Sequence, residues 1–294
     1  MKYTNKHNAP EALMNYVNNE EKAHDPLENT FSVTELLDPV QEIVLKRHFH
    51  DKLEMDISDK FTALLGTGIH KVLELNKDNE SEVEFPMEMK FFDKYTLKGR
   101  CDVLNRSKKL IEDYKTCTTS KIQKMDFAEW RLQGLMYAYI LYFNYHIEIR
   151  NLKFYGFMKD WSKIKASKNP SYPQNPIYTW TYTISDSDFD EIQDFIYGKL
   201  KLIDENINNY PVALMGCTED DRWYSGDEYA VFKKPGDKRA TKVFDSEQAA
   251  KEFITNECGG VGEIQMRKGE SVKCKYYCIC KDFCKQYKEE NNEN

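Results

Sequence analysis

Residues 99–116 read GRCDVLNRSKKLIEDYKT, and they carry Asp102, Glu112, Asp113 and Lys115 within two short apolar runs. The polar loop Asn105–Lys109 separates Val103-Leu104 from Leu110-Ile111, which predicts a hairpin. Folding about Ser107–Lys108 sets Asp102 opposite Asp113. Cβ atoms of such partners stand roughly 4.5–5.5 Å apart, and like charges there repel. Alternation along the strand puts Asp113 and Lys115 on one face, with Glu112 and Tyr114 on the other. Two carboxylates and an ammonium therefore converge. A divalent cation relieves that repulsion, and hard oxygen ligands suit Mg²⁺, Mn²⁺ or Ca²⁺. Solvated charges on a surface hairpin are the alternative reading of the same spacing.

The flanking elements must hold these groups. From about Ile57 to Leu75, Phe61, Leu64, Leu65, Gly68, Ile69, Val72 and Leu73 recur at helical spacing, with His70 beside the apolar stripe. That histidine reads either as a ligand or as a solvated helical residue. Glu82–Phe92 and Tyr95–Leu104 read as strands leading into the hairpin. Asp126 and Glu129 have the spacing of a capping box that would open a helix through WRLQGLMYAYILYF. On it Trp130, Gln133 and Tyr137 share one face, Trp130 as part of an aromatic core stripe.

Composition bounds the chemistry. The chain of 294 residues is 40% hydrophobic and 13% aromatic, which suits a globular protein with a sizeable core. Apolar runs fall far short of the ~20 residues a membrane span needs. The N-terminus lacks the apolar stretch of a secretory signal, and eight cysteines without one fit a reducing interior, so a cytoplasmic location is expected, the host's if the protein is viral. No GxxxxGK[ST] loop occurs, which argues against an ATP-driven motor of that class. The net charge is −7, yet Lys90–Arg131 holds eleven Lys/Arg against six Asp/Glu, and Lys159–Lys168 four against one. Positive charge gathered around the hairpin and one later loop is the footprint of a protein that meets phosphates at one place, or else surface scatter.

Along the chain, residues 1–30 are polar and read as loosely ordered. SVTELLDPVQEIVLKRHFH suggests a short helix, a break at Pro39 and a second helix ending near His50. Leu152–Met158 and Ile177–Ile184 read as strands. The loop between them carries Lys159, Lys163, Lys165 and Lys168, as a solvated linker or as a phosphate-tracking DNA contact. Asp186–Asn208 reads as a long amphipathic helix. After Pro211 the composition changes: strand-like EYAVFKK and RATKVF precede a helix over Glu247–Ile254 and a polar C-terminal tail. The expected organisation is a core of residues 1–210 and an α+β extension of residues 211–294 packed on it.

Taken in order, GTGIHKVLE with His70, GRCD with Asp102, EDYKT with Asp113 and Lys115, and QGLMY with Gln133 and Tyr137 resemble the RecB-type branch of the PD-(D/E)XK nucleases. That branch includes viral and recombination exonucleases and the CRISPR-associated adaptation nucleases. Its signature is a helical glycine–histidine element, a GxxD strand, a D/E-x-K strand and a helical QxxxY, in this order. The resemblance covers about residues 57–145, and Ser32–His50 and the C-terminal cysteine segment resemble what flanks this core in phage members. It implies an α/β, restriction-endonuclease-like fold, a central mixed β-sheet flanked by helices, here with a Cys-rich C-terminal extension. It further implies that His70, Asp102 and Asp113 ligate Mg²⁺ or Mn²⁺ and that Lys115 orients the attacking water. Gln133 and Tyr137 would support the site or contact DNA, and Glu88 on the preceding strand is a candidate further acid or a solvated strand residue. The implied activity is a metal-dependent DNA exonuclease working with replication or recombination proteins. A structure-specific endonuclease and a non-catalytic DNA-binding subunit are the alternatives.

Cys274, Cys278, Cys280 and Cys284 crowd into eleven residues. Several RecB-type nucleases hold a [4Fe–4S] cluster with one cysteine upstream of the core and three near the C-terminus, the last pair spaced C-x5-C. Cys278 and Cys284 have that spacing and Cys274 sits just before them. No cysteine precedes Cys101, so the upstream ligand is missing and Cys280 is its candidate substitute. C-x3-C-x-C-x3-C is not a usual zinc or ferredoxin spacing. An iron–sulfur or zinc centre and buried thiols without metal both remain open readings.

Overall fold

The computed structural model of the chain describes residues 1–23, 29–75, 80–234 and 236–292. They divide into two compact units, Met1–Leu214 and Met215–Asn294.

The first unit opens with β1 (Lys2–Thr4), α1 (Glu11–Ala23), β2 (Thr30–Ser32), α2 (Val40–His48) and β3 (Glu54–Asp56). Then come α3 (Phe61–Glu74), β4 (Glu82–Phe91), β5 (Tyr95–Asn105), β6 (Leu110–Cys117), α4 (Thr119–Gln123) and α5 (Ala128–Tyr145). It closes with β7 (Asn151–Met158), α6 (Lys163–Lys168), β8 (Ile177–Thr183) and α7 (Asp186–Asn209). The expected α/β architecture is present: a mixed six-stranded sheet runs β2-β5-β6-β7-β8, with β4 also on β5, and helices flank it.

Strand β5 organises the sheet. β4 pairs along it antiparallel from Tyr95 to Leu104. The other edge is shared: β2 runs parallel at Thr96–Lys98, and β6 antiparallel at Val103–Asn105. Between those partners, among the described residues, Gly99–Asp102 has no strand on that edge. β6 continues parallel to β7, which is antiparallel to β8.

The core follows from periodicity. Ile192, Ile196, Leu200 and Ile203 give α7 one fully buried face, the i, i+4, i+8, i+11 pattern of an amphipathic helix. α5 touches both the sheet and α7, so it is buried almost all round from Gln133 to Leu141. Its closeness to the sheet depends on Gly134, where a Cβ would stand 2.7 Å from a Leu152 methyl.

Three local expectations are corrected. Residues 1–30 are not loosely ordered throughout: β1 pairs parallel with β3 and α1 follows, while residues 24–28 of that stretch lie outside the described residues. The Asp126–Glu129 capping box does not form, because α5 begins at Ala128 with Phe127 buried at its N-cap position. The two acids instead face the Lys121 ammonium, at 3.9 and 3.5 Å. The loop after β7 contains a turn-and-a-half helix, α6, capped by Ser162, whose hydroxyl accepts the Lys165 N–H.

In the second unit β9 (Glu228–Phe232), β10 (Lys242–Phe244) and β11 (Glu263–Arg267) form an antiparallel sheet ordered β10-β9-β11. α8 (Glu247–Glu257) packs on it through Ala250, and α9 (Val272–Tyr276) and α10 (Lys285–Asn292) follow. Residues 293–294 of the polar tail lie outside the described residues. No helix among the described residues is long and apolar enough to cross a membrane.

Candidate active site

The site lies where β5 and β6 part. Their ladder ends at Val103–Glu112, and the next pair in that register would be Asp102 with Asp113. Instead Asp102 Oδ2 accepts the Tyr114 backbone N–H at 2.6 Å. A carboxylate thus replaces a ladder hydrogen bond and props the two strands apart.

The other oxygen of Asp102 faces His70. α3 lies against β6, with Gly66 close to Thr116, and this places His70 Nδ1 3.3 Å from Asp102 Oδ1. His70 Nε2–H donates to the Tyr114 carbonyl at 2.7 Å, which aims Nδ1 at the carboxylate. The hydrogen bond that His70 Nδ1–H donates to Asp102 raises the pKa of His70 despite partial burial.

Glu84 completes a triad that sequence reasoning missed. It lies opposite Asp102 in the β4–β5 register, between the pairs Val83–Val103 and Phe85–Cys101. Its backbone has φ +51°, a left-handed conformation uncommon for a residue with a side chain. The inward alternation of β5 also changes phase there, from Tyr95, Leu97 and Cys101 to Leu104. One ligand atom from each of His70, Glu84 and Asp102 lies within 4.8 Å of the others. The signal available in the sequence was the register of Glu84 against Asp102; the alternation of β4 alone does not single it out. Glu88, the acid expected on this strand, is 58% exposed and pairs with Lys98 at 3.5 Å, away from the triad.

Asp113 lies on the face of β6 away from Glu112 and Tyr114, as alternation along β6 requires, but the expected facing pair with Asp102 does not form because the ladder stops one step short of it. Asp113 is 3% exposed, and the Lys115 ammonium stands 2.6 Å from its Oδ2. At that distance the Lys115 ammonium is the counter-charge of this buried oxygen. Burial pushes the Asp113 carboxyl up, and the Asp102 charge adds to this while Lys115 opposes it. Lys115 donates to Gln133 Oε1 at 2.5 Å, and Gln133 Nε2 donates to the Tyr137 hydroxyl at 2.7 Å. The Tyr137 ring in turn lies on β5: a Cβ on Gly99 would stand 2.7 Å from its Cε1. Trp130 takes no part; it stacks on Phe127 and Phe154 in the core.

A cavity of about 270 Å³ opens beside the triad, lined by Leu73, Glu74, Ser81, Val83 and Glu112 among others. The three ligand atoms at its wall, one imidazole nitrogen and two carboxylate oxygens, form a donor set that suits a divalent cation. Asp113 is near enough for His70 and Asp102 to shift its titration, but it stands outside the close triad.

The predicted lysines are spread out. Lys159 Nζ reaches Thr62 Oγ1 on α3 at 3.4 Å, whereas Lys163, Lys165 and Lys168 lie on α6. In the second unit burial pushes the Cys274 thiol up to about 11, with Cys278 and Cys284 adding to the shift, so these three are neighbours. Cys280 is buried at 1% exposure. Cys217, absent from the predicted set, is joined to the same segment by two backbone hydrogen bonds with the Gln286 side chain. Among the described residues no three of these sulfurs reach the 4.8 Å grouping that the His70 triad does.

The chain matches no protein-family model and no curated protein sequence. Among solved structures it is similar to the crystal structure of SSO0001, with 19% identity and a TM-score of 0.45 over 69% of this chain and 88% of that one. A phage-related exonuclease from Haemophilus somnus 129PT aligns with 12% identity and a TM-score of 0.32, over 68% of this chain and 82% of its own. An alkaline exonuclease from Laribacter hongkongensis aligns with 8% identity and a TM-score of 0.36, over 61% and 90% respectively.

Proposed function

We propose that this protein is a metal-dependent deoxyribonuclease of the RecB-like type, an exonuclease acting in replication, recombination or repair. The observation that carries the reading is the His70–Glu84–Asp102 triad, with buried Asp113 and its counter-charge Lys115 on the neighbouring strand β6. Mg²⁺ or Mn²⁺ held by these groups would polarise a phosphoryl oxygen as a Lewis acid. The remaining work falls to the chain. His70, its Nε2–H engaged by the Tyr114 carbonyl, offers Nδ1 as the ligand atom once that nitrogen is deprotonated. Lys115, poised between Asp113 and Gln133, positions a water and offsets negative charge as it develops on the phosphate. Gln133 and Tyr137 are positioning residues that hold the lysine. Lys159 and the α6 lysines are proposed phosphate contacts. Cys274, Cys278 and Cys284, with Cys217 or Cys280 as the fourth thiol, are proposed ligands of an iron–sulfur cluster.

End-labelled linear DNA, single- and double-stranded, and covalently closed circles, each incubated with Mn²⁺, test the reading. Loss of label from linear DNA with closed circles intact, abolished by Lys115→Ala, is the expected result. Cleavage of closed circles reassigns the protein as an endonuclease. Tight binding without turnover under either metal would leave a DNA-binding subunit and overturn the enzyme.

A further inference from the structure

Two outer strands of the six-stranded sheet are finished differently. β4 carries Glu82, Glu84, Pro86, Glu88 and Lys90, and its backbone turns left-handed at Glu84. Charges, proline and an irregular backbone keep an exposed edge from pairing with other chains. β8 reads IYTWTYT, without charge or proline, and among the described residues β7 is its one strand partner. Two bonds of 2.9 Å fix its phase, Met158 N–H to Pro176 O and Ile184 N–H to Arg150 O. Even-numbered residues therefore bond to β7, while Ile177, Thr179, Thr181 and Thr183 turn their N–H and C=O groups to the outer edge. These four residues are exposed, and among the described residues no backbone hydrogen bond reaches their outward groups.

The strand is also a palindrome about Trp180: Thr179 mirrors Thr181, and Tyr178 mirrors Tyr182. When two identical strands pair antiparallel about a two-fold axis, residues equidistant from that axis face each other. An axis at Trp180 sets Thr179 opposite the partner's Thr181 and Tyr178 opposite the partner's Tyr182. Thr–Thr and aromatic pairs are favourable cross-strand combinations. The backbone phase agrees. An axis between two residues would set outward groups against inward ones, whereas one through a residue matches outward with outward. Four such matched pairs supply up to about eight inter-chain hydrogen bonds.

We propose that this protein forms a two-fold dimer by antiparallel pairing of β8 with β8 of a second copy, centred on Trp180. The pairing joins two six-stranded sheets into one and, being isologous, closes on itself. An unrelated extended segment would gain the same backbone bonds, but the palindrome matches only a second copy.

Sedimentation equilibrium of the full-length protein at rising micromolar concentrations reads the dimer against the 34.7 kDa of one chain. The wild type is expected to dimerise. Thr181→Pro removes an outward N–H and spares the β7 ladder, so it should raise the dimer dissociation constant at least tenfold. Thr179→Lys combined with Thr181→Lys sets ammonium groups opposite one another and should do the same. Thr179→Lys combined with Thr181→Glu sets each ammonium opposite a carboxylate and should dimerise at least tenfold more tightly than the double-lysine variant. These exposed positions keep the test decisive if the proline variant fails to fold, and circular dichroism checks each fold. A wild type that stays monomeric, a dimer indifferent to the double-lysine change, or equal weakening by the lysine–glutamate variant would overturn the proposal. The nuclease reading stands apart from it, since β8 supplies no residue to the His70 triad.

Discussion

Asp102 accepts the backbone N–H of Tyr114 at 2.6 Å, so an acid of one strand holds open the strand that carries Asp113 and Lys115. Its second oxygen stays turned to His70, 3.3 Å away. One side chain therefore sets both the strand separation and the ligand geometry, and substitutions around it should separate stability from metal binding.

Asp113→Asn should abolish cleavage and yet leave the metal-free fold no less stable at neutral pH. Burial raises the folded carboxyl pKa above its unfolded value, so the folded state binds that proton more tightly. The contribution of this group to stability is therefore most favourable below the unfolded pKa and declines as pH rises through the folded one. Melting temperatures in EDTA should show the wild type losing stability relative to Asp113→Asn as pH rises through that window. The opposite slope would show that Lys115 outweighs burial.

Glu84→Asn should keep or raise the melting temperature in EDTA while weakening Mn²⁺ binding at least tenfold. Asparagine tolerates the left-handed backbone better than glutamate, and such strain costs on the order of 1–3 kcal/mol. Its shorter side chain cannot take the place of the Glu84 carboxylate in the triad. Titration with Mn²⁺ beside thermal melts measures both; unchanged affinity would remove Glu84 from the ligand set.

Gly99→Ala should cost about 1–3 kcal/mol by overpacking, because its methyl would meet the Tyr137 ring at 2.7 Å. Tyr137→Leu should relieve part of that cost, giving a coupling of at least ~0.5 kcal/mol in a urea double-mutant cycle. Additive effects would mean that the ring moves aside freely.

Purified protein is expected to absorb visible light and to contain iron and sulfide, with Cys274→Ser and Cys284→Ser losing both. Colourless, metal-free wild-type protein of normal stability would return these residues to buried thiols. Comparing Cys217→Ser with Cys280→Ser identifies the fourth ligand.

Much of the sheet is legible in the sequence because its signals are local. The turn at Asn105–Lys109 sets the hairpin register as far as Val103–Glu112, while the expected next pair, Asp102 with Asp113, gives way to the bond between Asp102 and the Tyr114 N–H. The apolar periods of α3, α5 and α7 likewise read directly. Glu84 was hidden because its place depends on a backbone conformation with φ +51° that no residue type announces. The parallel pairing of Lys2–Thr4 with Glu54–Asp56 was hidden because it joins segments some fifty residues apart. At Asp126 a cap motif was present, but burial of Phe127 outweighed it and moved the helix start to Ala128. Cys217 lay outside the dense cysteine run and shows its relation to it only through Gln286.

Among the described residues, β5 pairs at Gly99–Asp102 with β4 on one edge and with no strand on the other. Open strand edges invite other chains to add themselves and so to aggregate. Here the opening is internal: β2 occupies the same edge before it and β6 after it. A foreign strand finds no continuous rail to extend, since only four residues lie between the two partners. The protein can thus leave its sheet incomplete where the acids must gather without offering a template for fibres.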